Sequence, residues 1–344
     1  MRNQYMTEIV NMAAWQNAPG QSLVIRPVSP TVLGSGEILI RNAAVAINPL
    51  DWLLQENALL PWLDYPAILG SDVAGEVVVV GPGVTRFKIG DRVLGQAVGT
   101  TVNDPAQGAF QTHTVVPENM ASPIPDTMAF TAAAVLPLGL GTAACGLYQE
   151  VHLGLTPPSL APTPTDQVVL IWGASSSVGC NAVQLAVASG YQCIAVASTH
   201  HAELLKRLGA SLVLDHRRPS IIEDVVHALR GKTLAGALHA TGNMADSFAV
   251  VARSEGRRVV ATTLPPSDGV PPQVEARQIF GTSLKDDAVG AMIYRDFLPA
   301  ALAVGRYRAA PPPRIAGNGL ESLQTAIEMQ KAGVSGEKVV VSMS

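Results

Sequence analysis

The sequence predicts an α/β protein in which a mostly antiparallel β region leads into a parallel sheet wound with helices. Three observations carry this. Between residues 167 and 263, apolar strand-like runs and helical stretches alternate strictly, the pattern of parallel βαβ units. Up to about residue 125, short Val- and Ile-rich runs are separated by turns such as Gly81-Pro82-Gly83 and Gly90-Asp91, which suits hairpins. A small-residue turn, WGASSSVG, joins the first apolar strand of the alternating region to an apolar helix.

In order, the early strands are ILIRNAAVAI, DVAGEVVVVG, DRVLGQAV and FQTHTVV. An Ala-rich helix follows, and the Pro-rich loop GLTPPSLAPTPTD separates it from what comes next. Residues 167–172 (QVVLIW) read as a buried strand, 177–189 as a helix and 192–197 (QCIAVA) as a second strand. A helix through AELLKRLG, a strand LVLDH, a helix over 221–230 and strands GALHAT and RRVVATT complete the alternation. Two helical stretches and a final KVVVSM strand are expected after about residue 280.

At 344 residues the chain is long enough for about two domains of ~150 residues. Charged residues are only 15% and hydrophobic ones 48%, the reverse of a disordered composition. A formal net charge of -4 offers no basic footprint for nucleic acid or an anionic membrane. Cys145, Cys180 and Cys193 neither pair completely nor form a C-x-x-C site, so a disulfide framework and a cysteine-rich zinc lobe are excluded. Residues 1–8 lack the apolar core of a signal peptide, and the cytosol is the expected compartment. Two runs, 127–149 and 167–202, carry no Asp, Glu, Lys or Arg. Each is long enough to span a bilayer. Gly, Ser and Pro interruptions and the absence of flanking basic clusters make both read as interior elements instead.

The WGASSSVG turn carries the main functional signal. A strand-to-helix turn of small residues lets a dinucleotide pyrophosphate approach helix N-terminal N–H groups, as in Rossmann-type domains. Its match to G-x-G-x-x-G is loose, with Ala174, Ser176 and Gly179 at the three positions, and serines would also cap an ordinary helix. Its place at the first turn of a βαβ series favours the cofactor. An NAD-selective domain usually carries an acid about 20 residues further on, for the ribose 2′-OH. Here the second strand ends in Ala197-Ser198-Thr199-His200-His201, with no acid before Glu203. Lys206, Arg207, Arg217 and Arg218 are nearby cations, so NADPH is expected over NADH.

The chain resembles the zinc-independent, quinone-reductase-like branch of the medium-chain dehydrogenase/reductase superfamily over nearly every residue. The motifs that carry the resemblance are AINPLDW, LGSDVAGEVVVVGPGVTRFKIGDRV, GAFQTH, LPLGLGTAACGLY, WGASSSVG and GVSGEKVVV, in that order. The segment from SLKDDAVGAMIYRDF to ESLQTAIE resembles fungal members of secondary metabolism, among them trans-acting enoyl reductases that serve polyketide synthases. The resemblance implies a Rossmann-type NADPH-binding domain, 128–279, inserted in a split, mostly β, GroES-like catalytic domain formed by 1–127 and 280–344. It also implies a homodimer and, for trans-acting members, a polyketide synthase partner.

Carried over by the same resemblance, Asn48 lies near the nicotinamide ribose and Thr142 near the carboxamide. Ser175, Ser176, Ser177 and Val178 meet the pyrophosphate. Ser198, His200, His216 and Arg217 surround the adenosine and its 2′-phosphate, and Lys338 closes over the cofactor. Each has a plain alternative: Asn48 shaping an X-Pro turn, for example, or Thr142 bonding its own helix carbonyl. Zinc alcohol dehydrogenases place a Cys ligand where Asn48 to Asp51 stand and a His-Glu pair where Ser71 and Asp72 stand, so Lewis-acid catalysis by zinc is not expected. Hydride from NADPH to the β-carbon of an α,β-unsaturated carbonyl, or to a quinone, remains. No strong acid follows the N-P-x-D motif, and Gln55, His113 and Tyr294 are weak candidates for the proton donor. Trp52, Leu53, Leu59, Leu60 and Trp62 form either a substrate wall or a barrel-packing cluster. Three functions follow: an enoyl or enone reductase for a hydrophobic small-molecule or carrier-bound substrate, a quinone reductase, or a cofactor-binding protein without turnover.

Overall fold

The structure, a computed structural model, describes residues 10–29 and 31–343. The expectation that residues 1–8 hold no signal-peptide core concerns residues outside that range. The chain forms two compact units, residues 1–137 with 312–344 and residues 138–311.

In the first unit the chain begins with β1 (Met12–Gln16), β2 (Val24–Pro27), β3 (Glu37–Ala46) and β4 (Ala67–Ile68). There follow β5 (Asp72–Val80), β6 (Arg92–Gln96), β7 (His113–Pro117) and β8 (Ala121–Pro123). The alternating Val, Ile and Ala positions of β3 and β5 are buried, which fixes their antiparallel register with Ala46 opposite Asp72. Gly75 in β5 is required by close approach: a Cβ there would lie 2.0 Å from the Arg41 carbonyl oxygen.

The second unit holds β9 (Gln167–Trp172), β10 (Gln192–Ala197), β11 (Leu212–Asp215), β12 (Thr233–His239), β13 (Val259–Thr262) and β14 (Glu275–Gln278). All pair in parallel, in the order β11-β10-β9-β12-β13-β14. That order reverses between β9 and β12, where a parallel sheet opens a ligand crevice at its carboxyl edge. Charge is absent from 167–202 because β9, β10 and the helix Ser177–Ala188 are almost wholly buried. The edge strand β14 was not legible in the sequence, since its EARQ run is polar and short.

The other charge-free run forms the helices Phe130–Ala133 and Pro137–Tyr148. By length and composition Phe130–Tyr148 could cross a membrane, yet 78% of its apolar window is buried inside the protein. A Cβ on Gly146 would collide with Ile279 and Leu238, so a glycine seats this helix against the sheet.

After the helices between 288 and 303, the chain returns to the first unit with β15 (Pro313–Asn318) and β16 (Lys338–Ser342). The strands there run β15-β16-β3-β5-β6-β8, with β7 also on β3, and β1, β2 and β4 form a separate small sheet. Val340 of β16 stands opposite Ala46 of β3.

Candidate active site

Those registers gather four polar residues at one end of the first unit. Asp72 opens β5 opposite the last residue of β3, Asn48 follows two residues after β3, and Lys338 opens β16. Pro49 starts the helix Pro49–Glu56 and Asp51 lies in its first turn, where a carboxylate suits exposed N–H groups. All four are buried: Asn48 4%, Asp51 1%, Asp72 0% and Lys338 4% exposed.

They bond to one another. The Lys338 ammonium donates to Asp72 Oδ2 at 2.8 Å and also to Asn48 Oδ1. Asn48 Nδ2 donates to Asp72 Oδ2 at 2.7 Å, and the Asn48 backbone N–H donates to Asp51 Oδ2 at 2.6 Å. Asp72 and Lys338 are paired, and an ionised Asp51 would set a second buried carboxylate charge beside that pair. Burial, and then the neighbouring Asp72, push the Asp51 carboxyl up to about 7 against the lowering pull of the Asn48 N–H. Burial thus sets Asp51 apart from an ordinary first-turn carboxylate. Among the described residues, no three His, Cys, Asp or Glu side chains converge in a metal-ligating group.

The sequence-level donors fare differently. Gln55 spends its amide on Gln16 and Gln324. His113 is half-buried with Nδ1 3.1 Å from Thr112 Oγ1, and burial, then Arg41, lower its proton affinity. Tyr294 is fully buried in a π-helical stretch, Met292–Phe297. Of the apolar group, Leu59 and Trp62 are exposed, and Trp62 Nε1 donates to the Thr100 carbonyl.

In the second unit the turn after β9 is built on close backbone contacts. Gly173 adopts φ +74°, and a Cβ on Gly179 would lie 2.4 Å from the Gly173 carbonyl oxygen. Only glycine permits that crossing of strand end and helix start. Ser176 caps the helix Ser177–Ala188 by accepting the Gly179 N–H at 3.0 Å, leaving its own O–H to donate. Ser175, Ser176, Ser177 and Val178 are all partly exposed on this turn. Thr142 packs against Gly281, where a Cβ would stand 2.3 Å from Thr142 Oγ1.

Comparison with known proteins places these two sites in a family. Residues 34–126 match the alcohol dehydrogenase GroES-like domain. The dehydrogenase azaJ of Aspergillus niger is 46% identical over 97% of this chain and 99% of its own length. The chain belongs to the medium-chain dehydrogenase/reductase superfamily. The trans-enoyl reductase himH of Aspergillus japonicus is 40% identical, covering 98% of this chain and 99% of its own. Among solved structures, the quinone oxidoreductase of Pseudomonas syringae pv. Tomato DC3000 has the same fold at a TM-score of 0.72 and 24% identity, covering 97% of this chain and all of that one. The first unit is thus GroES-like and the second Rossmann-type, and the superfamily works with a nicotinamide dinucleotide.

The corner after β10 holds a residue that local sequence pattern does not reveal. Ser198, Thr199 and His200 follow β10, and Ser198 Oγ accepts the His200 N–H at 3.4 Å. Ala197 stands opposite Asp215 in the β10–β11 register, so an acid from the next strand lies beside this corner. Asp215 accepts the Arg217 backbone N–H and Nε at 3.0 Å each and Nη2 at 2.8 Å, with Thr199 Oγ1 at 3.3 Å and His216 Nδ1 at 3.9 Å. Arg217 hydrogen bonds hold the Asp215 carboxyl well below the usual carboxylate range. The signal was present in LDHR, but it needed the parallel register to bring it under Thr199. Of the other cations, Lys206 pairs with Glu203 and Arg218 with Asp224.

Proposed function

We propose that this oxidoreductase is an NADPH-dependent, zinc-independent reductase of a conjugated C=C in a hydrophobic secondary-metabolite substrate. The carrying observation is the Lys338 ammonium, bonded to Asn48 Oδ1 and Asp72 Oδ2. A lysine already supplies the positive charge among these oxygens, and the hard, buried set lacks the Cys or His donors zinc favours. Bound NADPH supplies the hydride. The chain's own residues hold the cofactor, shape an apolar site and exclude water.

In this reading Ser175 to Val178 meet the diphosphate, Ser198, His200, His216 and Arg217 the adenosine end, Thr142 the carboxamide and Asn48 the nicotinamide ribose. Lys338 acts through Asn48, fixing its amide so that one orientation is presented. Similarity to a relative named as a trans-enoyl reductase supports a carrier-bound acyl substrate delivered by a polyketide synthase, and a homodimer working in the cytosol completes the proposal.

The test is NADPH oxidation with enoyl thioesters, free enones and quinones, run with metal analysis of the purified protein. Turnover of enoyl thioesters by metal-free protein is the expected result. Activity confined to quinones establishes quinone reduction instead, and tight NADPH binding without turnover on any acceptor establishes a binding protein. One stoichiometric zinc needed for activity overturns the metal-free chemistry.

A further inference from the structure

We propose that Asp215, on β11, sets the ratio of NADPH to NADH binding by holding the Arg217 guanidinium and opposing a 2′-phosphate. The inference rests on the cofactor reading above and deepens it at the adenosine end. In a sheet of this order, the acid that discriminates the two cofactors ordinarily ends the second strand. Here Ala197 ends that strand, and Asp215 lies directly across the register.

The carboxylate is not a bystander on the surface. Its side chain is 12% exposed, and it gathers Thr199 Oγ1 together with three N–H groups of Arg217. The Nε and Nη2 edge of Arg217 is the edge that takes a carboxylate or phosphate in a planar, two-bond grip. Asp215 occupies that edge. A 2′-phosphate arriving at Ser198, Thr199 and Arg217 must share the guanidinium with a fixed negative charge. A ribose 2′-OH meets an acceptor instead. The same residue therefore weakens NADPH and supports NADH, and it keeps the preference between them small. The missing acid of β10 is replaced from the side.

Binding of each nucleotide is measured by nicotinamide fluorescence for the wild type, Asp215→Asn, Arg217→Ala and the control Asp224→Asn. Asp224 also pairs with an arginine, Arg218, and its loss changes net charge equally. Asp215→Asn is expected to raise the NADPH preference about tenfold, the scale of one screened charge beside a phosphate. Arg217→Ala is expected to lower it by a similar factor, and Asp224→Asn to leave it in place. A preference unmoved by both Asp215→Asn and Arg217→Ala, or moved as far by Asp224→Asn, overturns the role of Asp215 alone. Failure of wild-type protein to bind either nucleotide overturns the cofactor reading itself, and this inference with it.

Discussion

Tyr307 donates its hydroxyl to Asn181 Oδ1 at 2.6 Å, and both side chains are sealed from solvent. Asn181 in turn donates Nδ2 to the Ser177 carbonyl at 2.8 Å, one turn back at the start of the helix Ser177–Ala188. Beside it, Gln184 accepts the Arg308 N–H at 2.8 Å and donates to the Arg308 carbonyl at 3.1 Å. Residues 307 and 308 thus clamp the helix that presents Ser175 to Val178. Tyr307→Phe strands a buried carbonyl oxygen. It is expected to cost about 1–3 kcal/mol in chemical denaturation. A denaturation midpoint equal to wild type counts against the clamp.

Asp51 gives the stability curve a sign. Its folded pKa is raised from 3.8 to about 7, so the folded state holds a proton that the unfolded chain has released. This stability is fully present below pH ~4 and is lost as pH rises toward 7, about 4 kcal/mol in all. Asp51→Asn keeps an oxygen for the Asn48 N–H and removes the titration. The difference in unfolding free energy between wild type and Asp51→Asn should therefore grow in the variant's favour from pH 4 to 8. Parallel curves across that range would sink the prediction.

Lys338→Met takes the cationic partner away from the fully buried Asp72 carboxyl. Removing one partner of a buried ion pair costs about 3–5 kcal/mol. Adding Asp72→Asn to it should recover much of the loss, which urea titration of the wild type and the two variants measures. An Asp72→Asn/Lys338→Met double variant no more stable than Lys338→Met shows that the two residues do not act as a pair.

Gly179→Ala is the sharpest probe of the proposed phosphate turn. The added methyl meets the Gly173 carbonyl and the Ala174 Cα, both backbone, so the turn must shift. NADPH affinity is expected to fall at least ~10-fold, the scale of a misplaced set of phosphate donors, while far-ultraviolet circular dichroism is kept. Unchanged affinity in a folded variant removes the turn from the binding site.

Cys145, Cys180 and Cys193 are buried, and desolvation pushes their thiols up to about 11, 12 and 12. Native protein should leave all three unreacted with a thiol-exchange reagent at pH 8, and denatured protein should release three equivalents. Rapid labelling of the native state contradicts this burial.

Legibility in the sequence followed contact range. The strands QVVLIW and QCIAVA and the helix between them announce themselves by local apolar pattern, and WGASSSVG by local turn chemistry. Asn48 was named from its motif, yet its partners Asp72 and Lys338 lie far along the chain and meet only through the registers of β3, β5 and β16. Asp215 was hidden for the same reason, since its meaning depends on which strand lies beside β10. The strand β15, PRIAGN, carries no alternation because it is an exposed edge, so only its pairing with β16 defines it.

β16 has a consequence for how the protein is made. Residues 138–311 leave the ribosome before β16 does, so the Rossmann-type sheet has all its strands while Ala44–Ala46 of β3 still lack their partner. An unpaired strand edge invites association with other chains. In order of synthesis the Rossmann-type unit is complete before the first unit, which is finished only by a strand five residues long, Lys338–Ser342.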